Sequence, residues 1–396
     1  MEGWEEWSTN DGDKDQAIEW FPCLHQMSII NCPKLDVVAI ELIPSLQVLH
    51  IQGCSVAVLR SMVSVASSVI RLIIWDNKGL HQLHREGLEH LRAVEYLRII
   101  QCDELTYLWK SEAEACKVLV DLQKLEVSRC VNLISLGEEE VTQVIGMESF
   151  REVEINSCPR LERYYCPNSI EKLKISGCDS ITSLTFQTMH NLPSSLKILN
   201  IEDCRNLELN WLHNDFLSSL ESLVIFKMPN LRLLHEECLV HLTTLIITRC
   251  DNIETIPGEG FGFRPFRCLR SLVIDNCKNL KSFPHEQLQS LASLEEMRIR
   301  VVSFAKVEDM RNSNNTTLPS FFLPSSLTYL YIRDFTDLES LSKGLRHLTC
   351  LEELVIVSCP KLRDLPVIVI SLNTILERFC LERMAKWIGR KHIAFT

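Results

Sequence analysis

One nine-residue pattern constrains this chain more than anything else in it: Leu-x-x-Leu-x-Ile/Val-x-x-Cys. It runs from Leu122 to Cys130 and returns at Leu196 to Cys204, Leu242 to Cys250, Leu269 to Cys277 and Leu351 to Cys359. With the last apolar position of the pattern as marker, looser copies extend the series to fourteen. The markers are Ile29, Ile51, Ile74, Ile99, Val127, Ile155, Ile175, Ile201, Ile225, Ile247, Ile274, Ile299, Ile332 and Ile356. Their mean spacing is about 25 residues, too regular for chance and within the period of short stacked units.

Each position of the pattern has a physical task. Two apolar residues flanking a single x, such as Leu125 and Val127, leave a short strand on the same side, because side chains alternate along a strand. They enter a core, while Lys124, Glu126 and Ser128 point outward. No single unit can bury its apolar face, so neighbouring units must stack and pair their strands. Further apolar residues after the turn, such as Leu133 and Leu136 or Leu362 and Leu365, line the return path. The expected architecture is an α/β repeat solenoid, a leucine-rich-repeat horseshoe. One curved parallel sheet forms its concave face; irregular loops, short strands and short helices form its convex face. The expected layout assigns residues 1–20 to the tail of a preceding repeat or an N-terminal loop, residues 21–366 to about fourteen repeats and residues 367–396 to a C-terminal cap. The polar run from Arg311 to Thr317 marks a long surface loop over residues 303–326; its Asn-x-Thr sequons carry weight only in a secreted protein.

Cysteine fills the ninth position in ten units, at Cys32, Cys54, Cys102, Cys130, Cys158, Cys178, Cys204, Cys250, Cys277 and Cys359. Asn77, Met228, Val302 and Phe335 replace it elsewhere. A small side chain with a weak donor suits a buried turn. A metal ladder would need interleaved histidines and tetrahedral spacing, and there is no Cys-x-x-Cys pair. The seventeen cysteines are therefore expected to be free thiols in a reducing compartment. No signal peptide or membrane span is visible. The formal charge of −11 argues against general affinity for nucleic acid.

The finer texture resembles the C-terminal leucine-rich-repeat region of plant nucleotide-binding, leucine-rich-repeat disease-resistance proteins of the coiled-coil type. The resemblance rests on the opening Met1 to Trp7, on Phe21-Pro22-Cys23-Leu24 and on Cys32-Pro33-Lys34-Leu35. It is strengthened by the Pro-Ser-Ser-Leu entries at Pro193 to Leu196 and Pro324 to Leu327. The ending, Leu376 to Cys380 before Trp387, Ile388, His392 and Ile393, is similar to the same family. The acidic-aromatic approach usual before that tryptophan is absent. The resemblance implies a cytoplasmic or nucleocytoplasmic immune-receptor domain that senses a pathogen effector or host protein. It also implies contact, in cis or trans, with a nucleotide-binding switch domain. No Gly-x-x-x-x-Gly-Lys-Ser/Thr phosphate loop occurs in this sequence, so the switch is not expected here. Trp4 and Trp7 read as the tail of an earlier repeat, which implies a fragment, a truncated product or a degenerate relative.

No catalytic, cofactor-binding or metal-binding residues are assigned, and an enzyme is not expected. His81-x-x-His84, with His90 nearby, lacks a placed acidic partner and reads as a surface loop or short helix. The sequence does mark two outward clusters for a protein partner. Arg71, Ile73 and Trp75 should lie beside Tyr96, Arg98 and Ile100; Arg298 and Arg300 should lie beside Tyr329, Tyr331 and Arg333. Tyr, Trp and Arg most often dominate interface energies, although arginines that merely cover strand aromatics would look the same. The second cluster, with three arginines, is the expected site for an acidic partner. Two other readings remain: an F-box-type substrate receptor of a ubiquitin ligase, whose repeats also place Cys after Leu-x-Leu, and a stand-alone leucine-rich-repeat scaffold.

Overall fold

A computed structural model describes residues 5–8, 21–40, 42–83, 90–111, 115, 117–138, 149–186, 195–208, 219–232, 241–254, 266–280, 288, 290–300, 323–335, 341 and 345–363. Fourteen strands form one parallel sheet. In order these are β2 (Gln26–Ile30), β4 (Val48–Gln52), β5 (Arg71–Trp75), β6 (Tyr96–Ile100), β8 (Lys124–Ser128), β10 (Glu152–Asn156), β12 (Lys172–Ser176) and β14 (Ile198–Glu202). They continue as β15 (Ser222–Phe226), β16 (Thr244–Thr248), β17 (Ser271–Asp275), β18 (Glu296–Arg300), β19 (Tyr329–Arg333) and β20 (Glu353–Val357). All fourteen sequence markers fall at the fourth residue of these strands, and register never slips: Ile29 opposes Ile51, Ile51 opposes Ile74, and so on to Ile356.

The second and fourth strand residues and the following slot build a single core along the array. A register slip of one residue would turn this whole inward set to solvent, so burial itself enforces the alignment. The slot cysteines from Cys32 to Cys277 are buried, and Asn77, Met228 and Phe335 are buried in the same slot. Val302 lies outside the described residues.

The slot cysteines have a specific bonding role. In all ten units the thiol donates to the carbonyl two residues earlier, at 3.2 to 3.6 Å. In nine of these units the same carbonyl also accepts a backbone N–H from the preceding unit; Ser128 O, for example, takes Gln101 N at 2.8 Å. The residue before the slot is left-handed in thirteen units, with φ from 47° to 62°. That conformation turns the chain inward while its N–H still reaches the next strand. Asn31, Asp76, Asp203, Asn276 and Asp334 suit it by their short polar side chains, and Gly53 and Gly177 by lacking one. Arg129, Gln101, Lys227 and Arg249 adopt it as well, held by the bonds on either side.

The opposite face carries short pieces. β1 (Glu6–Ser8) pairs with β3 (Val37–Ala39), β7 (Tyr107–Trp109) with β9 (Ser135–Gly137), and β11 (Arg163–Cys166) with β13 (Ser183–Phe186), all parallel. Helix α1 (Val56–Val65) turns Val58, Leu59, Met62 and Val63 into the core. This is the expected mixed convex side. β1 lies in the segment read as the tail of an earlier repeat. The 367–396 cap, Leu365, the sequons and most of the 303–326 loop lie outside the described residues. None of the described helices is long and apolar enough to cross a membrane.

Burial pushes the Cys102 and Cys250 thiols up to about 12 and that of Cys277 up to about 11. They are therefore protonated and shielded at neutral pH. Thiol titration of native protein should label exposed Cys23, Cys268 and Cys350 at once and leave the ten buried cysteines silent. Denaturation without reductant should then expose all seventeen. Slot cysteines still unreactive after such denaturation would be disulfide-bonded, and the packing account would fail.

Candidate functional site

The concave face carries three outward rows, at the first, third and fifth strand residues. Side chains converge on the inside of a curved sheet, so even outward residues lose solvent there: Ser176, Asn200, Thr248, Ser271, Val273 and Val355 are buried.

Both sequence-read clusters form as expected in register. Arg71 opposes Tyr96, Ile73 opposes Arg98 and Trp75 opposes Ile100. In this first cluster the Arg71 guanidinium stacks 4.3 Å from the Tyr96 ring centre. The Tyr96 hydroxyl donates to Glu126 Oε2 at 2.7 Å, and Arg98 Nε lies 3.1 Å from the same oxygen. The indole N–H of Trp75 donates to Gln101 Oε1 at 3.5 Å.

From Glu126 an ionic chain runs on across the sheet. Lys124 Nζ lies 2.8 Å from Glu126 and 3.0 Å from Glu152; Lys172 bonds Glu152 and reaches Glu154 at 3.3 Å. Sequence reading placed Lys124 and Glu126 in solvent and missed this network. The signal was present, since outward positions of adjacent units read Lys-x-Glu, Glu-x-Glu and Lys-x-Lys, but it emerges only when the units are aligned strand by strand.

In the second cluster Arg298 opposes Tyr331 and Arg300 opposes Arg333. Tyr331 is only 2% exposed, because Arg298 stacks 4.3 Å over its ring. It is a packed residue rather than a displayed one. Arg300 Nε lies 2.7 Å and Arg333 Nε 3.4 Å from Asp334 Oδ2, and Arg300 also faces Asp275 at 3.9 Å. Glu296 and Glu353 flank Tyr329 in the first row. The arginines that sequence reading reserved for an acidic partner are thus largely answered by carboxylates of the chain itself.

His81 is exposed and pairs with Glu104 at 3.6 Å, while His84 lies outside the described residues. Among the described residues no group of three or more His, Cys, Asp or Glu is arranged to hold a metal.

Residues 261–378 match the family model described as plant disease resistance protein RPS2-like, leucine-rich repeats. The repeats are similar to those of plant disease-resistance proteins. A probable disease resistance protein of Arabidopsis thaliana is 31% identical over 146 residues, covering 35% of this chain and 15% of that protein. The chain thus matches a small part of that relative's length. Among solved structures, a leucine-rich-repeat protein of Leptospira interrogans is 20% identical over 80% of this chain and 85% of its own, with a TM-score of 0.41. An internalin of Listeria monocytogenes is 12% identical over 84% of this chain and 86% of its own, with a TM-score of 0.30.

The ionic chain makes the concave face sensitive to acid. Burial alone would raise Glu126 and Glu152. Hydrogen bonds outweigh it, from Lys124 and Tyr96 to Glu126 and from Lys172 and Lys124 to Glu152, and hold both below the ordinary carboxylate value of 4.5. Because the folded values are lowered, their stabilisation is complete above the unfolded value and is lost as pH falls through the folded ones. The unfolding midpoint should drop between pH 5 and 3, and Glu126→Gln with Glu152→Gln should flatten that drop. An unchanged slope in the double variant would show that the chain of ion pairs contributes nothing.

Proposed function

We propose that this array is the protein-recognition domain of a plant immune receptor. It binds a pathogen effector or a host protein and contacts a nucleotide-binding switch domain, in cis or trans, within the cytoplasm. It performs no catalysis and takes no cofactor. The observation that carries this reading is the repeat match to plant disease-resistance proteins. It is joined by a long parallel sheet whose outward rows present Trp75, Tyr96 and Tyr329 among arginines. Aromatic side chains on a rigid backbone lose little entropy on binding and bury much area, which is why they anchor interfaces. Arg71, Arg98, Arg298, Arg300 and Arg333 complete the proposed contact set; Tyr331 supports it from beneath Arg298.

Co-elution of the chain with a purified nucleotide-binding domain from a plant disease-resistance protein is the expected result in size-exclusion chromatography. For any protein that binds, Trp75→Ala with Tyr329→Ala should weaken binding by roughly 30-fold, the scale of two interface anchors of modest strength. Tyr107→Ala with Tyr165→Ala on the convex strands should leave it unchanged, with circular dichroism confirming that both variants fold. Loss through the convex pair alone would place recognition on the other face. Binding of the ligase adaptor in place of the nucleotide-binding domain would support the F-box reading.

A further inference from the structure

The charges of the concave face are unevenly balanced along the array. The outward strand positions of β17 to β20 hold Arg298, Arg300 and Arg333 against Asp275, Glu296 and Glu353, so they cancel, and Asp334 just beyond the strand adds a further carboxylate. The same positions of β5, β6, β8, β10 and β12 hold Arg71, Arg98, Lys124, Lys172 and Lys174 against only Glu126, Glu152 and Glu154. The lines of residues on either side do not restore the balance. Just before these strands Glu95 and Glu171 stand against Arg151 alone, and just after them Asp76 stands against Arg129, so the flanking lines lower the excess by one. An excess of one positive charge therefore sits on this part of the inner face of a chain whose formal charge is −11.

The excess is localised. Arg98, Lys124 and Lys172 are committed to the three glutamates. Among the described residues neither Arg71, which stacks on the Tyr96 ring, nor Lys174, which opposes Glu154 in register, forms an ion pair. These two cations stand at opposite ends of the ionic chain, on β5 and β12, four strand spacings and two row positions apart. At ~4.8 Å per strand and ~3.3 Å per residue that is about 20 Å. Beside Arg71, Ile73 and the half-buried Trp75 offer the apolar contact area of this half of the face.

We infer that the β5 to β12 half of the concave face is a docking site for an acidic, extended segment of a partner protein. The segment presents two carboxylates about six residues apart to Arg71 and Lys174, and an aromatic or aliphatic side chain to Ile73 and Trp75. The intervening cations are paired with the three glutamates, which leaves Arg71 and Lys174 to meet the segment's carboxylates. Those three glutamates also disfavour a nucleic acid, whose continuous phosphate charge would meet Glu126, Glu152 and Glu154 midway. A flat membrane cannot follow the inside of a curved sheet. This inference rests on the protein-recognition reading and narrows it to a partner chemistry, moving the acidic-partner expectation from the second cluster to the first.

The test selects a random twelve-residue peptide display library on the immobilised full chain. Synthetic copies of the enriched peptides are then measured by fluorescence anisotropy against the chain, against Arg71→Glu with Lys174→Glu, and against the milder Arg71→Met with Lys174→Met. A twelve-residue oligothymidylate serves as competitor. The expected result is an acidic consensus with an apolar residue, binding at least tenfold weaker to the charge-reversed variant and several-fold weaker to the methionine variant. Neutral or basic enriched peptides, equal binding to both variants, or displacement by the oligonucleotide would overturn the inference. Neutral or basic peptides that lose binding through Trp75→Ala with Tyr329→Ala would do so while leaving protein recognition intact. No enrichment at all would overturn the inference and count against the wider reading too.

Discussion

Everything in this structure depends on how each strand ends. The carbonyl of the fifth strand residue has two lone pairs and sits where the chain leaves the sheet for the core. In most units one lone pair takes the left-handed N–H of the preceding unit and the other takes the slot thiol of its own. A buried carbonyl left unpaired costs about 1–3 kcal/mol, and the cost would recur in every turn of the array. The two hydrogen bonds together remove it in nine units, with one small side chain in each. They also tie adjacent units together beyond their five paired residues, which keeps the register constant from Ile29 to Ile356.

Constant register turns a repeat into a surface. The outward residues line up in three straight rows, so charges that are about 20 to 30 residues apart in sequence become neighbours about one strand spacing apart. That is how Arg98, Lys124, Glu126, Glu152, Glu154 and Lys172 become one network. Exposed ion pairs are individually weak, ~0–1 kcal/mol, but a connected set on a crowded concave face fixes the positions of its members. Stability comes from the apolar core beneath; the network decides which charges remain available on top.

The fold was almost fully legible in the sequence, since the apolar marker, the outward rows and the cross-strand neighbours all follow from a period of two within strands and one of about 25 between them. The left-handed residue before the slot was not, because Asn, Asp, Gln, Arg, Ser, Lys and Gly all occupy it and no single residue type flags it. Tyr331 illustrates a second limit. Its row position was readable, but its burial under Arg298 depends on curvature and on the rotamers of neighbours. The charge balance of the two clusters escaped for a related reason. Counting arginines in one stretch overlooked Asp275, Asp334, Glu296 and Glu353, which stacking brings against them.

The strand-end account is tested most directly at Arg129, exposed and left-handed with φ 57°, by comparing Arg129→Gly with Arg129→Val in urea unfolding. Both substitutions remove the same exposed side chain, so the difference between them reports the backbone alone. A left-handed conformation costs a residue with a Cβ roughly 1–2 kcal/mol, while glycine gives back about 0.5–1 kcal/mol in unfolded-chain entropy. The account predicts that the glycine variant unfolds at the same or a slightly higher urea concentration than the parent, and the valine variant at a clearly lower one. Equal midpoints for the two variants would contradict it, because the strand-end turn would then not be what holds the units in register.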